Sequence, residues 1–368
     1  HKKPSGEWIM AYTEIDDPSA YFQTAIYTGN GGTQSITFAG NSDLQPDFLW
    51  VKGRSVGEGH YIQDSVRGVT KHLHTQNTDV EATDTGVVTA LNSDGFALGN
   101  EGDVNSNNGT FVAWGWKTGT SFTNDASSTS VGSVDTAGSV NTTAGFSIMK
   151  YTGVSGQQTI AHGLGAVPRM IIVKNLDSTE TWRVYHHFNT AAKYMKLNTT
   201  AAVISDTGSF SNVTPTSSVI TMGGDDGTMH ANEEMIAYIF AEKKGYSKFG
   251  SYLGNGNTNG TFVYLGFKPA FLMVKKTSGT SVWGMYDNKR IGFNEAQGVQ
   301  HVQRANASAA TSADGGDAGG LGGIDFLSNG FKGKLSDANM GASGSTYIYM
   351  AFAENPFVTS TGVPATAR

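Results

Sequence analysis

The sequence predicts an all-β chain made of three tandem, divergent β-sandwich units. Three observations lead there. First, one stretch recurs three times: Tyr27-Thr-Gly-Asn followed by Pro46-Asp-Phe-Leu-Trp-Val-Lys52, Tyr151-Thr-Gly-Val followed by Pro168-Arg-Met-Ile-Ile-Val-Lys174, and Tyr252-Leu-Gly-Asn followed by Pro269-Ala-Phe-Leu-Met-Val-Lys275. The prolines lie 122 (168 − 46) and 101 (269 − 168) residues apart, and the lysines keep the same two intervals (174 − 52 and 275 − 174). Spacing held this closely marks a copied unit. Second, polarity comes from Ser, Thr, Asn and 48 Gly rather than from charge, a composition of short strands and tight turns. Third, no segment sustains an apolar period of 3.6 over ten or more residues.

At 368 residues the chain is too long for one ordinary core. Its charged fraction is 15%, below the ~25% usual in soluble domains. A net charge of −6 with no Lys/Arg run argues against nucleic acid, because phosphate binding needs a concentrated basic face. The absence of cysteine excludes disulfides and thiolate zinc sites. No apolar run approaches the ~18 residues that would indicate a membrane-spanning helix, so no membrane insertion is expected. Residues 1–9 read as a purification-tag remnant before a natural start at Met10.

The first unit is placed at 10–118, including an N-terminal arm over 11–23. Strands are expected at 35–38, 48–51, 61–67, 87–91, 96–98 and 110–116. Residues 48–51 form a continuous apolar run of the kind buried on both faces. Residues 119–144, nearly all Ser, Thr, Gly, Asp, Asn and Val, read as a linker, with too little apolar surface to offset the cost of ordering it. The second unit spans 145–247, with strands at 146–151, 159–164, 170–173 and 234–242. The third spans 248–358 and closes with a strand at 346–354. Both closing strands end Phe-Ala-Glu, so the copying reaches the far end of the unit. One or two helical turns are expected at 191–196, and the tail 359–368 is expected to fray.

The repeat allows equivalent positions to be compared within one chain. Eight residues after each repeated lysine stand His60, Trp182 and Trp283. Four further on stand Asp64, His186 and Asp287, with Tyr185 and Tyr286 beside the last two. Three beyond these, units one and three carry Arg67 and Arg290. One reading is a polar-aromatic ligand patch, with aromatic rings stacking on sugars and Asp or Arg hydrogen-bonding hydroxyls. The other is an ion pair and an aromatic that pin a loop onto the sheets, since positions kept in every copy serve the shared fold.

No enzyme is expected. His162, His186, His187, Asp206, Asp225 and Asp226 are the best titratable candidates, yet no nucleophile elbow, His-Glu-x-x-His or P-loop accompanies them. No catalytic residue and no cofactor are assigned. The oxygen-rich loops 99–109 and 223–227 match no calcium-loop spacing and read as solvated turns rather than metal sites.

Several stretches resemble repeat-bearing virion structural proteins of marine tailed bacteriophages. In order they are Tyr27-Thr-Gly-Asn-Gly-Gly, Asp64-Ser-Val-Arg-Gly68, Ser93-Asp-Gly-Phe-Ala-Leu98, Gly163-Leu-Gly-Ala-Val-Pro168, Gly245-Tyr-Ser-Lys-Phe-Gly-Ser-Tyr252 and Tyr349-Met-Ala-Phe-Ala-Glu354. The resemblance covers nearly everything from Met10 to Phe357. It departs in unit two, where Tyr185-His-His stands for Gln63-Asp-Ser and the aligned arginine is missing. The resemblance implies jelly-roll or lectin-like sandwiches in a tail-fibre protein located on the extracellular virion. It also implies a receptor-binding adhesin on host-surface polysaccharide, with other virion proteins as partners and, by analogy with phage fibres, a homotrimer. The alternatives are a capsid decoration or head-fibre protein and, from a different class, a polysaccharide depolymerase.

Overall fold

The computed structural model describes residues 12–290, 302–311, 323–334 and 336–364. Tight turns and alternating apolar residues give short strands throughout. In the first repeat they are β1 (Phe22–Thr28), β2 (Gln34–Ile36), β3 (Phe48–Gly53), β4 (His60–Asp64), β5 (Lys71–His72), β6 (Ala82–Thr83), β7 (Val88–Leu91), β8 (Phe96–Leu98) and β9 (Thr110–Trp116). The second has β10 (Thr120–Asn124), β11 (Thr136–Asn141), β12 (Phe146–Thr152), β13 (Gln158–Ala161), β14 (Pro168–Asn175), β15 (Arg183–His186), β16 (Lys193–Lys196), β17 (Ile204–Ser205), β18 (Val219–Met222) and β19 (Glu234–Ala241). The third has β20 (Ser247–Leu253), β21 (Phe262–Tyr264), β22 (Phe267–Lys276), β23 (Trp283–Asp287), β24 (Gln303–Arg304), β25 (Ile324–Leu327), β26 (Gly330–Gly333) and β27 (Thr346–Pro356). Helix is confined, among the described residues, to single turns. The fold is all-β and its named strand pairs are antiparallel.

Each repeat builds its main sheet in one order: opening strand, closing strand, proline strand, next strand. These are β1-β9-β3-β4, then β12-β19-β14-β15 and β20-β27-β22-β23. The register makes equivalence exact to the residue, since Trp50 lies opposite Trp114, Ile172 opposite Tyr238 and Met273 opposite Met350. A small sheet accompanies each: β2-β8-β7, β13-β18 and β21-β26-β25.

Two expectations are corrected. Residues 119–144 are not a bare linker, because β10 and β11 extend the second main sheet beyond β12. Backbone hydrogen bonding, which needs no apolar side chain, orders them, while Val134 and Val140 are buried and Thr118 Oγ1 donates to Ser139 Oγ at 2.7 Å. Gly138 has a reason to be glycine, since a Cβ there would meet the Ile148 carbonyl oxygen at 1.8 Å. Residues 193–196 form β16 rather than helical turns, because pairing with β15 overrides local propensity. The described part of the tail is tied back, with Ser360 N–H donating to Asp16 at 2.7 Å. The stretch read as a tag, with Met10, lies outside the described residues.

The proline strands β3, β14 and β22 are buried along nearly their whole length because both faces are covered. Leu49, Val51 and Ala113 on one face join the first repeat's own cluster with Phe96 and Leu98 on β8, and Ile171 and Val173 do the same in the second with Ile220 and Met222. The opposite face of every main sheet belongs to one cluster containing residues of all three repeats, including Trp50, Trp116, Phe146, Tyr238, Phe271 and Phe352. The equivalent aromatics Trp116, Phe240 and Phe352 meet there, Phe352 lying 5.6 Å from Trp116 and 6.0 Å from Phe240 between ring centroids.

A shared core ties the stability of each repeat to its neighbours. Denaturant unfolding of the full chain should therefore show one transition, coincident by tryptophan fluorescence and far-UV circular dichroism. Three resolved transitions would mean that the repeats fold independently.

Candidate functional site

The aligned polar residues are brought together, but across the junctions between repeats. At the position eight after the lysine, Trp182 Nε1–H donates to the His74 carbonyl at 2.9 Å and Trp283 Nε1–H to the Lys196 carbonyl at 2.9 Å. His60 Nε2 stands 2.8 Å from the Arg304 carbonyl. The tautomer follows from its other nitrogen: Nδ1 lies 2.8 Å from Trp50 Nε1, which can only donate, so Nδ1 accepts and Nε2 carries the proton. His60 is thus a neutral ring N–H donor doing what an indole does in the other copies. Burial and the nearby Lys52 charge push its pKa well below the usual histidine range.

The three acceptors are themselves equivalent. Each follows the residue facing the middle of the preceding strand: Leu73 opposite Ile62, Met195 opposite Val184, Gln303 opposite Met285. The donors therefore run from repeat two to one, three to two, and one to three, which closes a ring. A backbone bond repeats the pattern: Glu81, Val203 and Thr311 N–H, each seven residues past its acceptor carbonyl, donate to Leu176, Thr277 and Arg54 carbonyls at 2.9, 3.1 and 2.8 Å.

The position twelve after the lysine makes a second ring. Asp64 Oδ1 accepts from the Val66 and Arg67 amides, and Oδ2 accepts from Arg67 Nε at 2.6 Å and Tyr238 Oη of repeat two at 2.7 Å. Asp287 does the same with the Lys289 and Arg290 amides, Arg290 Nε and Trp114 Nε1 of repeat one at 3.0 Å. The Arg290 guanidinium also lies over the Trp114 ring. Tyr238 and Trp114 correspond to Met350 in repeat three, which has no N–H or O–H. At that junction the aspartate's place is taken by His186, which donates instead of accepting: Nδ1 accepts from Phe188 N–H, and Nε2–H donates to the Tyr349 carbonyl at 3.2 Å. Burial pushes the His186 pKa down to about 3, so the ring is neutral there. Loss of the donor and replacement of the acceptor thus occur at the same junction.

The repeated lysines are fully buried too. Lys52 Nζ donates to the Gly53 and Ser308 carbonyls, Lys174 to Asn175 and Ser178, and Lys275 to Lys276 and Thr200. Burial lowers each to about 8.

These positions therefore do not form an open sugar patch. His60, Asp64, Arg67, Trp182, Tyr185, His186, Trp283, Tyr286, Asp287 and Arg290 are all buried. Tyr185 packs on Phe210 within its own repeat. The physical reason is packing: both faces of the main sheets are covered, so a shared position on them meets another repeat or the small sheet. Elsewhere, His162 Nδ1 accepts from Leu164 N–H and Nε2 faces the Thr216 carbonyl, fixing a turn. Asp225 caps a helical turn and takes a two-pronged bond from Arg183. His187 Nε2 faces the Phe249 carbonyl, and Asp206 accepts from Gly208 N–H. No group of three His, Asp or Glu side chains is placed for metal binding among the described residues.

The accessible candidate lies where the copies differ. On the small sheets, Ile36, Ile160 and Val263 point inward, and outward positions beside them hold Ser35 and Thr37 in the first copy, Thr159 in the second, and Phe262 and Tyr264 in the third, whereas Ala161, at the place of Tyr264, is buried. Only the third copy places aromatics there, 46% and 53% exposed. Lys332 lies opposite Phe262 and Gly330 opposite Tyr264. A Cβ on Gly330 would meet the Val263 carbonyl at 2.1 Å and the Phe262 ring at 3.2 Å, so glycine lets the sheet pack under that ring. Lys248 Nζ donates to the Tyr264 carbonyl at 2.8 Å and lies 5.3 Å from its ring centroid. Sequence reading missed this pair because it weighed shared positions; the alternation of Phe262, Val263 and Tyr264 was the available signal. In a shallow recess of 440 Å³ on repeat two, Lys150 pairs with Glu234 at 2.5 Å.

Fold and site define an all-β protein whose three internal repeats close on one another through buried polar contacts. Over residues 17–356 it matches the family described as a domain of unknown function, DUF7483, and the chain belongs to that family. Comparison with curated proteins and with solved structures gives no match.

Two outcomes test the junctions. Changing His186 to Asp sets a carboxylate against the Tyr349 carbonyl and should destabilise the chain by about 2–4 kcal/mol. Adding Met350→Tyr should recover part of that loss, and a double-mutant cycle by urea unfolding that shows no coupling would refute the pairing. Second, the buried lysines titrate near 8 but near 10.4 when unfolded, so between those values the unfolded chain binds more protons and stability should rise with pH. The rise should stop near pH 10, where tyrosines freed by unfolding ionise and the buried ones resist. Replacing all three lysines by Met should flatten the slope in a urea series at pH 8, 9 and 10.

Proposed function

We propose that this chain is a bacteriophage virion structural protein, a tail-fibre or receptor-binding adhesin that contacts host-surface glycan without catalysing its cleavage. The observation that carries the reading is the division of the polar residues. Charged and aromatic groups at the shared positions are buried in the junctions, while the exterior is rich in Ser, Thr, Asn and Gly, with scattered charges and exposed aromatics only locally. Such an exterior suits weak contacts to neutral hydroxyls, made strong by multivalency. In this reading each repeat, placed at 10–118, 145–247 and 248–358, is a divergent jelly-roll or lectin-like sandwich of main and small sheet. The virion carries the protein as a homotrimer beside other virion proteins.

Immunogold labelling of particles and a glycan array on the purified chain test the proposal together. Label at the tail tip with at least one glycan bound is the expected result. Label over the whole capsid with no glycan bound would sink the adhesin reading in favour of capsid decoration.

A further inference from the structure

Resting on that adhesin reading, we infer that the outer face of the third repeat's small sheet is a binding site for an acidic polysaccharide, with Phe262 and Tyr264 as stacking platforms and Lys332 and Lys248 as carboxylate partners. Four observations lead to it. The rings occupy alternate positions of β21, about 6.7 Å apart along the strand, so both project from one face of a hydrogen-bonded sheet. Each has a lysine near it: Lys248 Nζ lies over the Tyr264 ring, and Lys332 stands opposite Phe262 in the strand pair with its Nζ donating to Asn259 Oδ1. Neither lysine forms an ion pair with a carboxylate among the described residues; Asp325 stands directly opposite Lys332 on β25, but its carboxylate is held by Lys334 at 2.9 Å. The outward positions equivalent to these in the other repeats are Ser35, Thr37 and Thr159, so the fold does not require aromatics there.

The ligand chemistry follows from the pairing. An aromatic face offers the negative side of its quadrupole to the C–H groups on the apolar side of a pyranose ring. The flanking ammonium groups suit the carboxylate of a uronic acid. A local excess of positive charge on a chain of net charge −6 selects an acidic glycan over a neutral one. Two rings in line, with Lys248 over one and Lys332 opposite the other, fit two units of one polymer, so affinity should grow with chain length.

Affinity electrophoresis of the full chain through gels containing polygalacturonate, with dextran as the neutral control, tests the site. The wild-type chain should be retarded by polygalacturonate and not by dextran. Phe262→Ala with Tyr264→Ala should weaken retention roughly tenfold or more. Lys332→Gln with Lys248→Gln should weaken it and reduce its sensitivity to added salt. Both pairs are surface changes, and unaltered thermal unfolding would show that the fold is intact. Glycans that bind the wild type and the aromatic double variant equally would overturn the site while leaving the adhesin reading in place. A wild-type chain bound by no glycan, on this gel or on the array, would overturn both.

Discussion

The structure depends on one constraint: a part-buried backbone carbonyl at the junction beside each main sheet must be met by a ring N–H from another repeat. His74, Lys196 and Arg304 supply the carbonyls, and Trp182, Trp283 and His60 supply the N–H groups. A carbonyl left unmet once the junction closes would cost up to about 1–3 kcal/mol, the upper end belonging to full burial. Three such bonds, each from a different repeat, force the repeats to close head to tail. A heterologous contact whose rotation closes gives a ring of fixed size, and here the chain supplies all three members itself.

The same constraint explains which substitutions the copies tolerate. A histidine can stand for tryptophan at position 60 because Trp50 fills its Nδ1 and leaves Nε2–H facing outward. A histidine can stand for aspartate at 186 because the strand opposite carries Met350 and can offer only a carbonyl. At position 60 the direction of the hydrogen bond is kept; at 186 it is reversed, since the aspartates accept across their junctions and His186 donates across its own. The buried arginines obey the same logic: Arg67 and Arg290 accompany the two aspartates, neutralising carboxylates that would otherwise be stranded in the core, and neutral His186 stands without one.

Closing the ring also decides where binding chemistry can reside. Main sheets covered on both faces leave little for a ligand, so specificity moves to the outer faces of the small sheets and the loops. There the copies share no packing duty and have diverged, as Ser35, Thr159 and Phe262 illustrate.

The sequence by itself determined the β class, the three copies and their internal alignment, because period-two alternation, turn residues and fixed spacing are local signals. It also singled out His60, Asp64 and their equivalents, and left open whether they bind a ligand or hold the fold. Only the tertiary structure decided that, because it depends on what covers the second face of β3, β14 and β22, and a continuous apolar run reads the same whether a sheet or another repeat lies over it. The ordering of 119–144 was hidden for a similar reason: its partner, β12, supplies backbone hydrogen bonds that no side-chain pattern records. The outward aromatics Phe262 and Tyr264 were written in the sequence as alternation, but only the sheet showed which side of it faced water.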